Sequence, residues 1–140
     1  MKEAVLGLGA NLGDRADNLN RALEAIALLP DTRVERVSSF IESEPFEAEG
    51  PDYINCCAVV QTGLTPEMLL GGCLGIEAAM GRVRTADKGP RVIDIDLLLY
   101  EGVQMDTPHL TLPHPEMMRR AFVLEPLREL RVCAEGAIDN

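Results

Sequence analysis

Two hydrophobic periods alternate along this chain, and their succession predicts its elements. Glu3–Leu8 alternates weakly and ends in glycines, which predicts a buried strand. Gly9–Asp14 reads as a turn. Leu19, Ala22, Leu23, Ile26 and Leu29 then recur at helical spacing, with Asp14 as N-cap and Pro30-Asp31 as the stop. Thr32–Ile41 is β-like, anchored by Val34, Val37 and Phe40, with Ser38-Ser39 as a hairpin or a bend. Glu42–Asp52 is polar and predicts a loop. Tyr53–Gln61 reads as a strand, with Ile54, Cys56, Ala58 and Val60 on one face and Tyr53, Asn55, Cys57 and Val59 on the other. Thr65-Pro66-Glu67 starts a second helix with the stripe Leu69, Cys73, Ile76 and Met80. Gly71, Gly72 and Gly75 weaken it, in favour of close packing, and Gly81 ends it. Arg82–Pro90 predicts a basic loop, Arg91–Tyr100 a strand, and Thr107–Pro115 a Pro-rich extended segment. A short helix starts near Glu116, and Phe122–Leu130 has an apolar face.

The order β-α-β-β-α-β predicts an α+β, ferredoxin-like antiparallel sheet with helices packed on one face and a short helical C-terminal tail. Residues 1–140 are expected to form one domain. The first residues run straight into strand-like sequence, so no signal peptide is expected. No apolar stretch approaches the roughly 20 residues of a membrane span.

The last predicted strand carries the chemistry. Asp94 and Asp96 stand at i and i+2 in an apolar, β-branched run. On a strand both carboxylates leave one face, roughly 6.5–7 Å apart at the backbone. Such a pair is costly on a half-buried strand unless a cation compensates it. Mg²⁺ takes oxygen ligands, one or two carboxylates with water and phosphate oxygens, and a strand pair at this spacing can flank two metals roughly 4 Å apart.

Charge strengthens that reading. The net charge is −10, which argues against nucleic acid as a bulk partner. Yet four of 13 basic residues, Arg82, Arg84, Lys88 and Arg91, fall within ten positions just before the aspartates. Arginines clamp phosphate oxygens with paired donors and stabilise charge during phosphoryl transfer. His114, between two prolines, lies close enough in sequence to reach the same cleft. Tyr53 and Asn55 place a ring and an amide on one strand face, which suits a flat heterocycle. Phe46, in a polar loop, is a ligand contact or a loop anchor.

Other chemistries fit less well. In Gly7–Gly13 the third glycine is one residue late for a dinucleotide fingerprint, and a tight turn with Asn11 bonding the backbone locally explains the segment. No P-loop motif is present. Cys56, Cys57, Cys73 and Cys133 lack zinc-site spacing and read as reduced core thiols. A non-catalytic ligand-binding module of the same fold is the competing class; Mg²⁺-dependent nucleotide binding separates the two.

Several segments, taken in order, are similar to the 6-hydroxymethyl-7,8-dihydropterin pyrophosphokinases of folate biosynthesis. They are Gly9-Ala10-Asn11-Leu12-Gly13-Asp14, Ser43-Glu44-Pro45, Pro51-Asp52-Tyr53-Ile54-Asn55, Gly81-Arg82-Val83-Arg84, Gly89-Pro90-Arg91-Val92-Ile93-Asp94-Ile95-Asp96, Leu112-Pro113-His114-Pro115 and Arg120-Ala121-Phe122-Val123-Leu124. The resemblance runs from about Val5 to Leu130. It implies transfer of diphosphate from ATP to the hydroxymethyl group of a reduced pterin, releasing AMP. It implies two Mg²⁺ ions on Asp94 and Asp96, with Arg82 and Arg91 also catalytic. Glu77, Arg84, Lys88, Arg91, Thr111 and His114 match the nucleotide side. Tyr53 and Phe122 match stacking rings for the pterin, Asn55 an edge reader, and Ser43, Glu44, Pro45 and Phe46 the remaining hydrogen-bonding segment. A cytoplasmic monomer acting on two small molecules is expected, with no nucleic-acid or membrane partner. The chain departs from some members in three places. The loop Thr85–Gly89 is short and lacks a Trp, Leu74 and His109 replace polar or basic nucleotide contacts, and the chain stops soon after Leu130.

Overall fold

A computed structural model describes residues 1–45, 50–81 and 91–130. Its central strand is β1 (Lys2–Ala10), buried from Ala4 to Ala10 because both of its edges are paired. β4 (Tyr53–Thr62) and β5 (Asp94–Tyr100) flank it, both antiparallel. β2 (Thr32–Val37) and β3 (Ile41–Ser43) pair in turn with the outer side of β4. The order among the described residues is β2-β4-β1-β5, with β3 beside β4. This is the ferredoxin-like arrangement expected from the element order.

Ser38-Ser39 makes a bend, not a hairpin. β2 and β3 both pair with β4, at its far and near halves, and Ser38 bonds Cys57 across the interruption. The segment expected to be loop from Glu42 thus begins as strand.

The helices start where their caps dictate. Asp14 accepts the Asp17 N–H at 3.1 Å ahead of α1 (Arg15–Ala27). Thr65 accepts the Met68 N–H at 3.2 Å ahead of α2 (Pro66–Ala79). Leu19, Ala22 and Ile26 from α1 and Leu69, Cys73 and Ile76 from α2 pack on the sheet face formed by Ala4, Leu6, Leu8, Cys56, Ala58, Val60, Ile95 and Leu97. Among the α2 glycines only Gly72 serves close packing, with Leu29 against its backbone. Gly71 and Gly75 face open space.

α1 and α2 share one face as expected, and the C-terminal tail helix, α3 (Ala121–Leu130), covers the opposite face. Val123, Leu127 and Leu130 meet Val5, Cys57, Val59, Leu98 and Leu99 there. A bulge supplies the last two. Leu97 pairs with Leu6 and Leu99 with Val5, so Leu98 is the extra residue and both leucines turn toward α3. Arg36 holds the far end of α3 through the Leu130 carbonyl. The Pro-rich segment is a small hairpin rather than simply extended: β6 (Met105–Asp106) pairs with β7 (Thr111–Leu112), and a 3-10 turn (Met117–Arg119) precedes α3. Among the described residues no helix is long and apolar enough to cross a membrane.

Leu6 is fully buried at the crossing of β1 with β4 and β5. Leu6→Ala is expected to destabilise the fold by ~2–5 kcal/mol, read as a lower urea midpoint at unchanged slope. Cys56, Cys57 and Cys73 are buried free thiols, as expected. Burial pushes each up to about 12 and keeps it unreactive. Cys133 lies outside the described residues.

Candidate active site

Paired residues of an antiparallel sheet share a face, and this places the carboxylates. Gly9 lies between Asn55 of β4 and Asp94 of β5; Gly7 lies between Cys57 and Asp96. Asp94 and Asp96 therefore leave the α3 face of the sheet together, with Tyr53 and Asn55 two strands away on the same face. The glycines make that row possible. A Cβ at Gly9 would stand 2.9 Å from Asn55 Oδ1 and 3.3 Å from the Tyr53 ring, and one at Gly7 would stand 3.1 Å from Leu98. With no side chain at Gly7 or Gly9, the neighbours lean over β1 there.

Asn55 is held rigidly. Its Nδ2 donates to Ser43 Oγ at 2.8 Å and to the Ile41 carbonyl at 3.3 Å. Its Oδ1 is thereby turned to the Gly9 side as an acceptor, suited to an N–H edge. Tyr53 is half-buried beside it. Phe122, at the start of α3 and on the same face, is half-buried with the Arg120 guanidinium 6.0 Å from its ring centre. Glu44 and Pro45 follow β3, with Glu44 exposed.

Arg91 joins these groups to the aspartates. Its Nη1 donates to Asp94 Oδ2 at 3.1 Å, and its guanidinium also reaches the Tyr53 hydroxyl. Burial opposes the Arg91 charge, but Asp94 and Tyr53 outweigh it and leave its pKa above the usual arginine value.

Beyond the outer edge of β5 lies a cavity of about 650 Å³. Leu70, Leu74, Glu77 and Ala78 of α2 form one wall; Thr107–Thr111, His114 and Pro115 form the other. Asp96 lines it as well, and so belongs both to the β1 row and to the cavity. Glu77 is 2% exposed and accepts the Ile95 N–H at 2.7 Å, tying α2 to β5. Thr111 and His114 line the cavity, and Leu74 and His109 are also part of its walls.

His114 Nδ1 accepts the Met117 N–H at 3.3 Å, so the imidazole is neutral with its proton on Nε2. Burial lowers its pKa from 6.5; Glu116 opposes and Arg120 reinforces that shift. A base whose pKa is depressed by folding protonates more readily once unfolded. Its stabilisation is complete above 6.5 and is lost as pH falls through the folded pKa. Urea midpoints are expected to decline below pH 6.5, and His114→Asn, which keeps an acceptor for Met117, is expected to flatten that decline.

Two sequence readings change here. Asn11 bonds distant backbone, not its own turn; the local bond comes from Asn18 Nδ2 to the Leu12 carbonyl at 3.0 Å. Arg91 precedes β5 rather than beginning it. Phe46, Arg82, Arg84 and Lys88 lie outside the described residues.

The sequence profile of the family described as 7,8-dihydro-6-hydroxymethylpterin-pyrophosphokinase (HPPK) matches residues 5–132. The chain belongs to this family. An HPPK relative from Methylorubrum extorquens, named 2-amino-4-hydroxy-6-hydroxymethyldihydropteridine pyrophosphokinase, is 47% identical over 93% of this chain and 83% of its own length. One of the same name from Synechocystis is 45% identical over 91% of this chain. The chain spans 65% of that protein's length. A crystal structure of an HPPK-DHPS in complex with substrates superposes with a TM-score of 0.68 over 92% of this chain and 40% of its own, at 13% identity, and supports the HPPK fold.

Proposed function

We propose that this chain transfers the terminal diphosphate of ATP to the hydroxymethyl group of 6-hydroxymethyl-7,8-dihydropterin. The hydroxyl oxygen bonds to the β-phosphorus, the bond from that phosphorus to the α-side oxygen breaks, AMP leaves with that oxygen, and the hydroxyl proton passes to solvent. One observation carries the reading. Asp96, with Asp94 beside it, stands between a cavity large enough for a nucleotide and a ring-and-amide wall on β4, two strands away. Family membership and the names of the relatives supply the substrates.

The carboxylate pair fits Mg²⁺. Both side chains present oxygen donors from one face, and among the described residues no third His, Cys, Asp or Glu completes a cluster. That leaves ligand positions for water and phosphate oxygens, as Mg²⁺ prefers. We assign Asp94 and Asp96 to two such ions, which when bound neutralise polyphosphate charge and polarise the β-phosphorus. Arg91 orients the Asp94 carboxylate and adds positive charge near the transferring group. Arg82, Arg84 and Lys88 serve the phosphates, and Arg82 with Arg91 counters charge in the transition state. Glu77, Thr111 and neutral His114 bind the nucleotide from the cavity walls. Tyr53 and Phe122 stack on the pterin, Asn55 accepts from its N–H edge, and the segment of Ser43, Glu44, Pro45 and Phe46 supplies the remaining hydrogen bonds. The work is positioning and charge neutralisation, which is most of what phosphoryl transfer asks of a protein. Residues 1–140 act as one domain, in a cytoplasmic monomer.

The test follows AMP and ADP from ATP with Mg²⁺, with and without the pterin alcohol. Pterin-dependent AMP is expected. ADP as product sinks the reading in favour of an ordinary kinase, and nucleotide binding without turnover favours a non-catalytic module.

A further inference from the structure

Asn11 is 1% exposed, and every arm of its amide reaches across the fold. Its Oδ1 accepts the Arg91 N–H at 2.7 Å, and its own N–H donates to the Arg91 carbonyl at 3.1 Å. Its Nδ2 donates to the Pro51 carbonyl at 3.1 Å. The amide has one chemically sensible orientation, because Arg91 offers a donor and Pro51 an acceptor. The next carbonyl, Asp52, takes Arg15 Nη1 at 2.8 Å. The loop after β1 thus grips two segments that never touch in sequence. One leads through Pro51-Asp52 into Tyr53 and Asn55. The other fixes the Arg91 backbone, whose guanidinium meets Asp94 and the Tyr53 hydroxyl.

We infer that Asn11 is a positioning residue that sets the carboxylate side through Arg91 and the pterin side through Pro51. This role rests on the diphosphate-transfer reading above. Its two arms are chemically separable. Asn11→Asp keeps an acceptor for the Arg91 N–H but turns the donor at Pro51 into an acceptor facing an acceptor. Asn11→Ala removes both arms.

The experiment measures kcat, KM for the pterin and thermal unfolding for the wild type, Asn11→Asp, Asn11→Ala, Arg91→Ala and the Asn11→Ala/Arg91→Ala double variant. It is run at alkaline pH, where the introduced carboxyl is ionised, and pterin affinity is also read by calorimetry without turnover. Asn11→Asp is expected to keep kcat within about twofold while the pterin KM and dissociation constant rise about tenfold, the worth of one hydrogen bond. Asn11→Ala is expected to lower kcat about tenfold as well. In the Arg91→Ala background that kcat effect should shrink below about twofold, because the group being positioned is gone. Equal kcat losses in both Arg91 backgrounds, or a kcat loss in Asn11→Asp matching its KM rise, overturn the role and leave Asn11 merely structural. Should Asn11→Ala fail to fold, the split in Asn11→Asp decides alone. A wild type that makes no pterin-dependent AMP overturns the activity reading and this role with it. A wild type that turns over with unsplit variants overturns this role only.

Discussion

Asparagine at position 96 is expected to lower kcat by about 10²–10³-fold while the protein still unfolds in one cooperative transition. Asp96 holds no core position: it sits half-exposed on the sheet face, and its neighbours Ile95 and Leu97 carry the packing. Replacing its carboxylate with an isosteric amide removes charge, not volume. The loss should therefore appear chiefly in the rate, with Mg²⁺ required at higher concentration, while unfolding stays cooperative. Asp94→Asn is expected to behave in the same way, with an added loss because its 3.1 Å contact with Arg91 is no longer charge-assisted. Alanine at either position should do no less. The measurement is AMP formation at saturating ATP and pterin across a Mg²⁺ series. A variant that keeps most of its rate at ordinary Mg²⁺ removes the metal assignment.

Gly9→Ala is the second large effect, and it should fall on one substrate. The added methyl meets Asn55 Oδ1 at 2.9 Å, closer than ordinary contact. A free asparagine would swing away at little cost. This one is pinned by Ser43 Oγ and the Ile41 carbonyl, so moving its oxygen breaks those bonds. The Tyr53 ring, 3.3 Å from the same point, is displaced as well. Loss of one aligned acceptor raises the pterin KM by about tenfold or more, while affinity for an ATP analogue stays near the wild-type value. Equal losses for both ligands would mean that Gly9 serves the whole sheet instead.

Much of this was legible in the order of residues. Strand alternation placed Asp94 with Asp96, and Tyr53 with Asn55, on shared faces, and the structure brings both pairs to one side. The caps at Asp14 and Thr65 were readable because capping is a local chemistry. The misreadings share a physical cause. Asn11 followed by Leu12-Gly13 has the composition of a self-bonding turn, and nothing local reveals that its partners are Pro51 and Arg91. The placement of α3 is also non-local, although Leu97-Leu98-Leu99, unbroken by a polar residue, signals a strand covered on both faces. The β6–β7 hairpin was missed because two-residue strands carry no period. The cavity was visible only in part, since Leu70 and Ala78 read as an ordinary helix until the hairpin stands opposite them.

The two glycines that leave β1 uncovered beneath the site, Gly7 and Gly9, also set a distance. Asn55 and Asp94 are joined through Gly9 by backbone pairing alone, so the gap between them is two interstrand steps, roughly 10 Å. The sheet acts as a ruler whose graduations are peptide hydrogen bonds, with no rotamer inserted to lengthen or shorten the measure. Softening the hydrophobic layers above and below should then cost melting temperature long before it changes how far apart the two reactants are held. Only a slip in strand register would recalibrate the distance.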